Sequence, residues 1–175
     1  MATIILYIAT SVDGYIAKED GSVDWLSMVD GSGSDYGYFA FYDSVDALIM
    51  GSKTYEQILG FGDWPYAGKP SYVFTHQTLR TERKDVIFTQ GQEPERVISE
   101  MEAQGYKRIW LVGGAEIIAS FIQCDLIDEY IISIIPIILG AGIPLFKSPT
   151  PEVKLEVLES KLYSSGLLQL HYKPK

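Results

Sequence analysis

Six short runs constrain what this chain can fold into: Thr3–Ala9, Ala47–Met50, Ser71–Thr75, Val86–Thr89, Ile109–Val112 and Glu129–Ile135. Each is rich in β-branched residues and mostly apolar on both faces. A strand of that kind has no solvated side, so it must lie in a sheet covered above and below, as parallel strands do. Between the runs fall helical patterns. Lys53–Leu59 places Tyr55, Ile58 and Leu59 on one side, and Ala115–Gln123 groups Ile117, Ile118, Phe121 and Ile122. Pro94–Gln104 opens with Pro in its first turn, turns Val97, Ile98 and Met101 inward, and stops at Gly105. A further helix is expected over Asp35–Asp43, with Tyr38, Phe39 and Tyr42 facing inward.

The end of the chain reads differently. Lys154–Leu162 and Leu167–Tyr172 alternate apolar and polar residues around Ser164-Ser165-Gly166, the pattern of an antiparallel hairpin closing one sheet edge. No linker or repeat divides the 175 residues. The expected fold is a single α/β domain over residues 1–175: a mixed, mainly parallel sheet of about eight strands flanked by about four helices.

Charge narrows the partners. With 14 Lys plus Arg against 23 Asp plus Glu, the net charge is −9, which repels nucleic acid and anionic membrane surfaces. Cys124 stands alone, so no internal disulfide forms, and His76 and His171 are too far apart for a local metal pair. No metal is expected. The first residues lack a basic segment, and Pro136 and Gly140 interrupt the apolar run at Ile131–Leu139, which suits a buried strand better than a membrane span. A cytoplasmic location is the expectation.

In open α/β sheets ligands bind at the carboxyl ends of strands. After Ala47–Met50 comes Gly51-Ser52-Lys53-Thr54 and then a helix, a place where unpaired N–H groups, a cation and a hydroxyl would meet a phosphate. A plain turn with Ser52 as N-cap would read the same way. After Ile109–Val112 comes Gly113-Gly114-Ala115-Glu116, again entering a helix, and the pair of glycines permits close backbone approach. A dinucleotide has two ends to hold, and two such junctions would serve it. After the first strand, Ser11-Val12-Asp13-Gly14-Tyr15-Ile16-Ala17 leads into a Gly/Asp-rich loop whose tip, Asp30–Ser34, has the composition of a lid or of a plain surface loop. Asp35 opens a helix among aromatic neighbours, as a cap or, if buried, as a proton donor or heterocycle-gripping carboxylate. Pro136–Phe146 is too apolar for a solvated loop and must be covered, by the hairpin or by a second subunit.

Taken in order, these segments resemble the dihydrofolate reductase superfamily, in the branch that includes the reductase domain of the bifunctional riboflavin-biosynthesis deaminase–reductase. The resemblance rests on Ser11–Ala17, Asp46–Glu56, Trp110–Glu116, Leu126–Tyr130 and Pro136–Phe146. It implies an NADPH-dependent reductase acting on a small pteridine- or aminopyrimidine-like heterocycle, with 5-amino-6-(5-phosphoribosylamino)uracil ahead of dihydrofolate. It also implies the site residues. Gly51, Ser52, Lys53 and Thr54 would hold the cofactor's phosphates, and Thr75, His76 and Gln77 would lie near the adenosine 2′-phosphate. Gly113, Gly114, Ala115, Glu116, Ile117 and Ile118 would pass along the pyrophosphate and nicotinamide. Ala9 and Asp13 would lie near nicotinamide and substrate, and Asp35 falls where dihydrofolate reductases carry the pterin-binding carboxylate. A nucleotide-binding dimer without turnover is the alternative. A homodimer is expected in either case, from the apolar Ile131–Phe146 region.

Overall fold

A computed structural model describes residues 1–175. The strands are β1 (Thr3–Ser11), β2 (Tyr15–Ala17), β3 (Ala47–Gly51), β4 (Ser71–Thr75), β5 (Val86–Gln90), β6 (Arg108–Gly113), β7 (Glu129–Ile135), β8 (Ile143–Pro144), β9 (Leu155–Leu162) and β10 (Leu168–Pro174). The helices are α1 (Tyr38–Ser44), α2 (Ser52–Gly60), α3 (Pro94–Ala103) and α4 (Ala115–Gln123), with a 3-10 helix at Asp24–Ser32.

The eight-stranded sheet runs β5-β4-β3-β6-β1-β7-β10-β9. The six strands from β5 to β7 are mutually parallel, and β10 turns antiparallel against both β7 and β9. The expected α/β architecture, closed at one edge by the hairpin, is therefore what the chain adopts. The apolar runs lie where a doubly covered sheet needs them: Ile5, Leu6, Leu48, Ile49, Met50, Ile109 and Leu111 are fully enclosed. On one face they pack with Val97, Met101, Ile118 and Phe121 from α3 and α4. On the other they pack with Phe41, Tyr55 and Ile58 from α1 and α2.

Three details differ from the sequence reading. α1 starts at Tyr38, not Asp35, because Tyr36 (φ 54°) and Gly37 (φ 79°) are left-handed and hold the chain out of the helix. Of the aromatics expected to face inward, Tyr38 and Tyr42 do pack on the core beside the buried Phe41, whereas Phe39 is 66% exposed. Leu59 of α2 likewise faces solvent. The segment after Ala17 is not a long free loop. Its 3-10 helix buries Trp25 and Val29 against Ile135 and Leu167, and Gln57 Nε2 donates to Gly21 O at 2.6 Å. Its tip, Asp30–Ser34, is exposed throughout.

Pro136–Phe146 is covered mainly from within the chain. β8 pairs with β2, Leu145 N donates to Gly14 O, and Val12 N donates to Ile137 O. A Cβ at Gly142 would lie 2.3 Å from Ala17 O, so this crossing of two backbones admits only glycine. Leu145 is buried, and Ile137 and Leu139 pack on the Trp25 cluster. Ile138 and Phe146 alone stay exposed among its large apolar side chains. No helix is long and apolar enough to cross a membrane.

Candidate functional site

The two glycine-marked junctions lie side by side. β3 and β6 are neighbours, with Met50 opposite Gly113. A Cβ on Gly114 would sit 3.2 Å from Thr54 Oγ1, and one on Gly51 would sit 3.9 Å from Ile117 Cγ2. The N-caps of α2 and α4 are Gly51 and Gly114, so Ser52 is the first residue of its helix and not its cap. No side chain bonds to the first-turn amides of either helix. Two sets of unpaired N–H groups, each with a partial positive charge of about half a unit, therefore open at one place at the carboxyl ends of two central strands. That is the elementary requirement for holding a diphosphate.

Charge at the site is arranged to match. Lys53 is exposed and forms no ion pair. Glu116, an unwelcome carboxylate in the first turn of α4, is paired with Lys147 from the segment after β8. On the far side of β3, Thr75 ends β4; its Oγ1 accepts from Gln77 N at 3.0 Å and closes the turn. His76 and Gln77 are exposed beyond it. Thr75, Gly51 and Gly113 thus end three adjacent strands, and β1 with Ala9 comes next.

The side chains of Ile117 and Ile118 are buried in the core at 6% and 0% exposure, so only their backbone could face a ligand. Ala115 is buried as well.

The two carboxylates singled out from the sequence are both exposed and both occupied by backbone. Asp35 accepts from Gly37 N at 3.1 Å and Phe39 N at 3.2 Å, so it organises the entry to α1. Asp13 accepts from Ser11 Oγ at 2.6 Å, Leu139 N at 3.1 Å and Gly140 N at 2.7 Å. The Ser11 hydroxyl, helped by these amides, holds its carboxyl below the usual carboxylate range. Neither carboxylate is buried. Cys124 gives no nucleophile, since burial and the neighbouring Glu95 push its thiol up to about 11.

Past Ala9 the structure assembles groups that sequence reasoning missed. Ala9 pairs with Ser133 on β7, and Gln169 Nε2 donates to Ser133 Oγ at 3.1 Å and to Tyr36 O at 3.4 Å. Tyr7, two residues before Ala9 on β1, stacks on Phe41 at 4.3 Å, and burial pushes its hydroxyl up to about 12. Trp25 Nε1 is buried with no acceptor, in the cluster against which Ala9 packs. Only Ser133, a polar residue within the apolar run Glu129–Ile135, could have signalled this region. One cavity, of about 460 Å3, lies elsewhere, among Met1, Thr3, Glu102 and Arg108 at the amino ends of β1 and β6, where open sheets do not bind their ligands.

Sheet order, the antiparallel hairpin at the edge and the paired helix starts define a dihydrofolate reductase-like domain of the riboflavin-type branch. Residues 2–169 match the family model of the RibD C-terminal domain, and the chain belongs to that family. It is 42% identical over 169 residues to YwjB of Bacillus subtilis strain 168, an uncharacterised protein, covering 96% of this chain and 95% of that one. A solved structure from Shewanella sp. PV-4, named for riboflavin biosynthesis, is 35% identical with a TM-score of 0.90, covering 100% of this chain and 99% of that one. The Thermotoga maritima diaminohydroxyphosphoribosylaminopyrimidine deaminase/5-amino-6-(5-phosphoribosylamino)uracil reductase has the same fold, with a TM-score of 0.72 at 16% identity. That match covers 99% of this chain and 57% of the Thermotoga one.

Proposed function

We propose that this chain is an NADPH-dependent reductase of a small aminopyrimidine- or pteridine-like heterocycle, most akin in chemistry to 5-amino-6-(5-phosphoribosylamino)uracil reduction. The observation that carries the reading is the contact between the two junctions, Thr54 against Gly114, which joins two uncapped helix starts into one bed. A side chain at Gly114 would press on Thr54, so the glycine lets the two helix starts approach this closely. Bound NADPH would supply a hydride to an electrophilic carbon of the heterocycle.

The chain's own residues bind and orient. The amides of Ser52, Lys53 and Thr54 and of Ala115 to Ile117 face phosphate oxygens, and the Lys53 ammonium adds the one free cation of the two helix starts. His76 and Gln77 meet the adenosine end, and Ala9 flanks the reacting ring. Holding two reactants in line can supply as much as ~7–11 kcal/mol of the barrier, so a rigid bed with few reactive side chains suffices for this chemistry. Asp13 stays ionised at neutral pH and keeps the Pro136–Gly140 segment in place.

The exposure of Asp13 and Asp35 favours a second reading, a nucleotide-binding protein without turnover. One experiment separates the two. NADPH fluorescence titration measures binding, and loss of NADPH absorbance with aminopyrimidine and pteridine substrates measures turnover. Binding with turnover supports the reductase, binding alone supports the second reading, and no binding removes both.

A further inference from the structure

Hydride transfer makes one demand that the paired helix starts do not meet: the atom left negative needs a proton. Asp13 and Asp35 are exposed, and each already accepts backbone N–H bonds. The reductase reading, on which the assignment below rests, puts the reacting ring at Ala9. Side chains alternate along a strand, so Tyr7 projects from the same face of β1 as Ala9, the face that α1 covers.

Tyr7 is held in one orientation. Its ring stacks on Phe41 at 4.3 Å and meets Trp110 edge-on at 6.0 Å, while Trp110 Nε1 donates to Tyr7 O at 3.0 Å. The hydroxyl lies beside the side-chain amide of Gln169. Gln169 stands opposite Ser133, and Ser133 stands opposite Ala9, so the hydroxyl reaches the row of residues that begins at Ala9. Neighbouring strands are ~4.8 Å apart, and a six-membered ring over Ala9 therefore extends toward it. Two nearby hydroxyls are spent on the fold: Tyr36 donates to Val29 O at 2.7 Å, and Ser11 to Asp13 Oδ1 at 2.6 Å. The Tyr7 hydroxyl donates to no acceptor in the protein, and it is not sealed in the core, since the residue is half-buried.

We propose that the Tyr7 hydroxyl is the proton donor of the reduction. The π bond of a C=N group in the heterocycle breaks. Its carbon forms a C–H bond with the hydride of NADPH, which leaves as NADP+, and its nitrogen forms an N–H bond with the Tyr7 proton. The tyrosinate that remains takes a proton from water. Burial raises this hydroxyl to about 12, against the Gln169 amide and with Tyr163, Tyr38 and Asp35 acting in the same direction as burial. The group is therefore protonated at neutral pH and, once ionised, recovers its proton readily.

Tyr7→Phe keeps the ring and removes only the hydroxyl. With 5-amino-6-(5-phosphoribosylamino)uracil and 7,8-dihydropterin as probes, kcat is expected to fall about 100-fold, with KM and the NADPH dissociation constant within about twofold of wild type. The residual rate should rise about tenfold for each unit that pH falls, because solvent then supplies the proton, whereas the wild-type rate is flat near neutrality. A readout without turnover accompanies it: either probe, added to the cofactor-free chain, should shift the alkaline tyrosinate absorbance of wild type and not that of Tyr7→Phe. Tyr130→Phe removes an equally raised hydroxyl in the core on the opposite face of the sheet and should leave kcat and KM intact. A Tyr7→Phe enzyme with wild-type kcat, or with a lowered kcat and the wild-type pH profile, overturns the assignment alone. An equal loss in Tyr130→Phe does the same, as does a wild-type tyrosinate signal that neither probe moves, whatever the stability of the variants. A wild type that binds NADPH and oxidises it with neither probe overturns the reductase reading and the assignment together.

Discussion

Thr54 Oγ1 lies 3.2 Å from the position a Cβ would take on Gly114, so the first turn of α2 and the N-cap of α4 are in contact range across neighbouring strands. The contact is tighter than ordinary van der Waals packing, and it makes the two residues a pair. Gly114→Ala is expected to destabilise the protein by about 1–2 kcal/mol through overpacking. Thr54→Ala in the same chain should recover most of that loss. Urea denaturation of the four species of the cycle measures the coupling; additive effects would show that the two helix starts are not in contact.

Lys53 is exposed and without a carboxylate partner, so it adds nothing to the fold that a surface alanine would not. Lys53→Ala should raise the dissociation constant for NADPH about tenfold and leave the melting temperature within experimental error. The wild-type constant should also weaken with added salt more steeply than the variant's. An unchanged dissociation constant would place the phosphates elsewhere.

Asp13 ties the turn after β1 to Leu139 and Gly140, and its carboxyl is held below the ordinary value. A lowered folded-state value contributes stability that is full above about 3.9, the unfolded carboxylate value, and is lost as pH falls through the folded one. Asp13→Asn should flatten part of the acid loss in denaturation midpoints and admit protease at Pro136–Gly140. An acid limb identical to wild type would show that the latch is not closed in solution.

Tyr7 and Tyr130 are raised to about 12 by burial. For a raised folded-state value the sign reverses: stability is full below the unfolded value of about 10 and declines as pH climbs from there through the folded one. Tyr7→Phe should reduce the alkaline decline, read from urea midpoints above neutrality and from tyrosinate absorbance. Tyr7 ionising near the free value would mean that its packing on Phe41 and under α1 is open.

Much of the architecture was legible along the chain, and the cases show why. β4, β7 and α4 have the limits that their apolar runs predicted, because a strand buried on both faces and a helix with a single apolar stripe write their burial into local sequence. α1 was misread by three residues because Asp35 is a strong capping residue, whereas the left-handed Tyr36 decides where the helix begins. The 3-10 helix around Trp25 was invisible, since its shape depends on Ile135 and Leu167, residues far along the chain. Exposure of Asp13 and Asp35 was equally beyond reach, because it follows from which amides the fold brings to them.

The sequence alone determined that this chain must form a covered, mainly parallel sheet with glycines at the ends of two strands, since β-branched runs without a polar side have no other stable environment. Tertiary structure decided that β3 and β6 are adjacent, and with them Thr54 and Gly114. It also decided that Val157 and Leu162 of β9 stay exposed. Strand order is set by the packing of residues distant in sequence, and no local pattern records it.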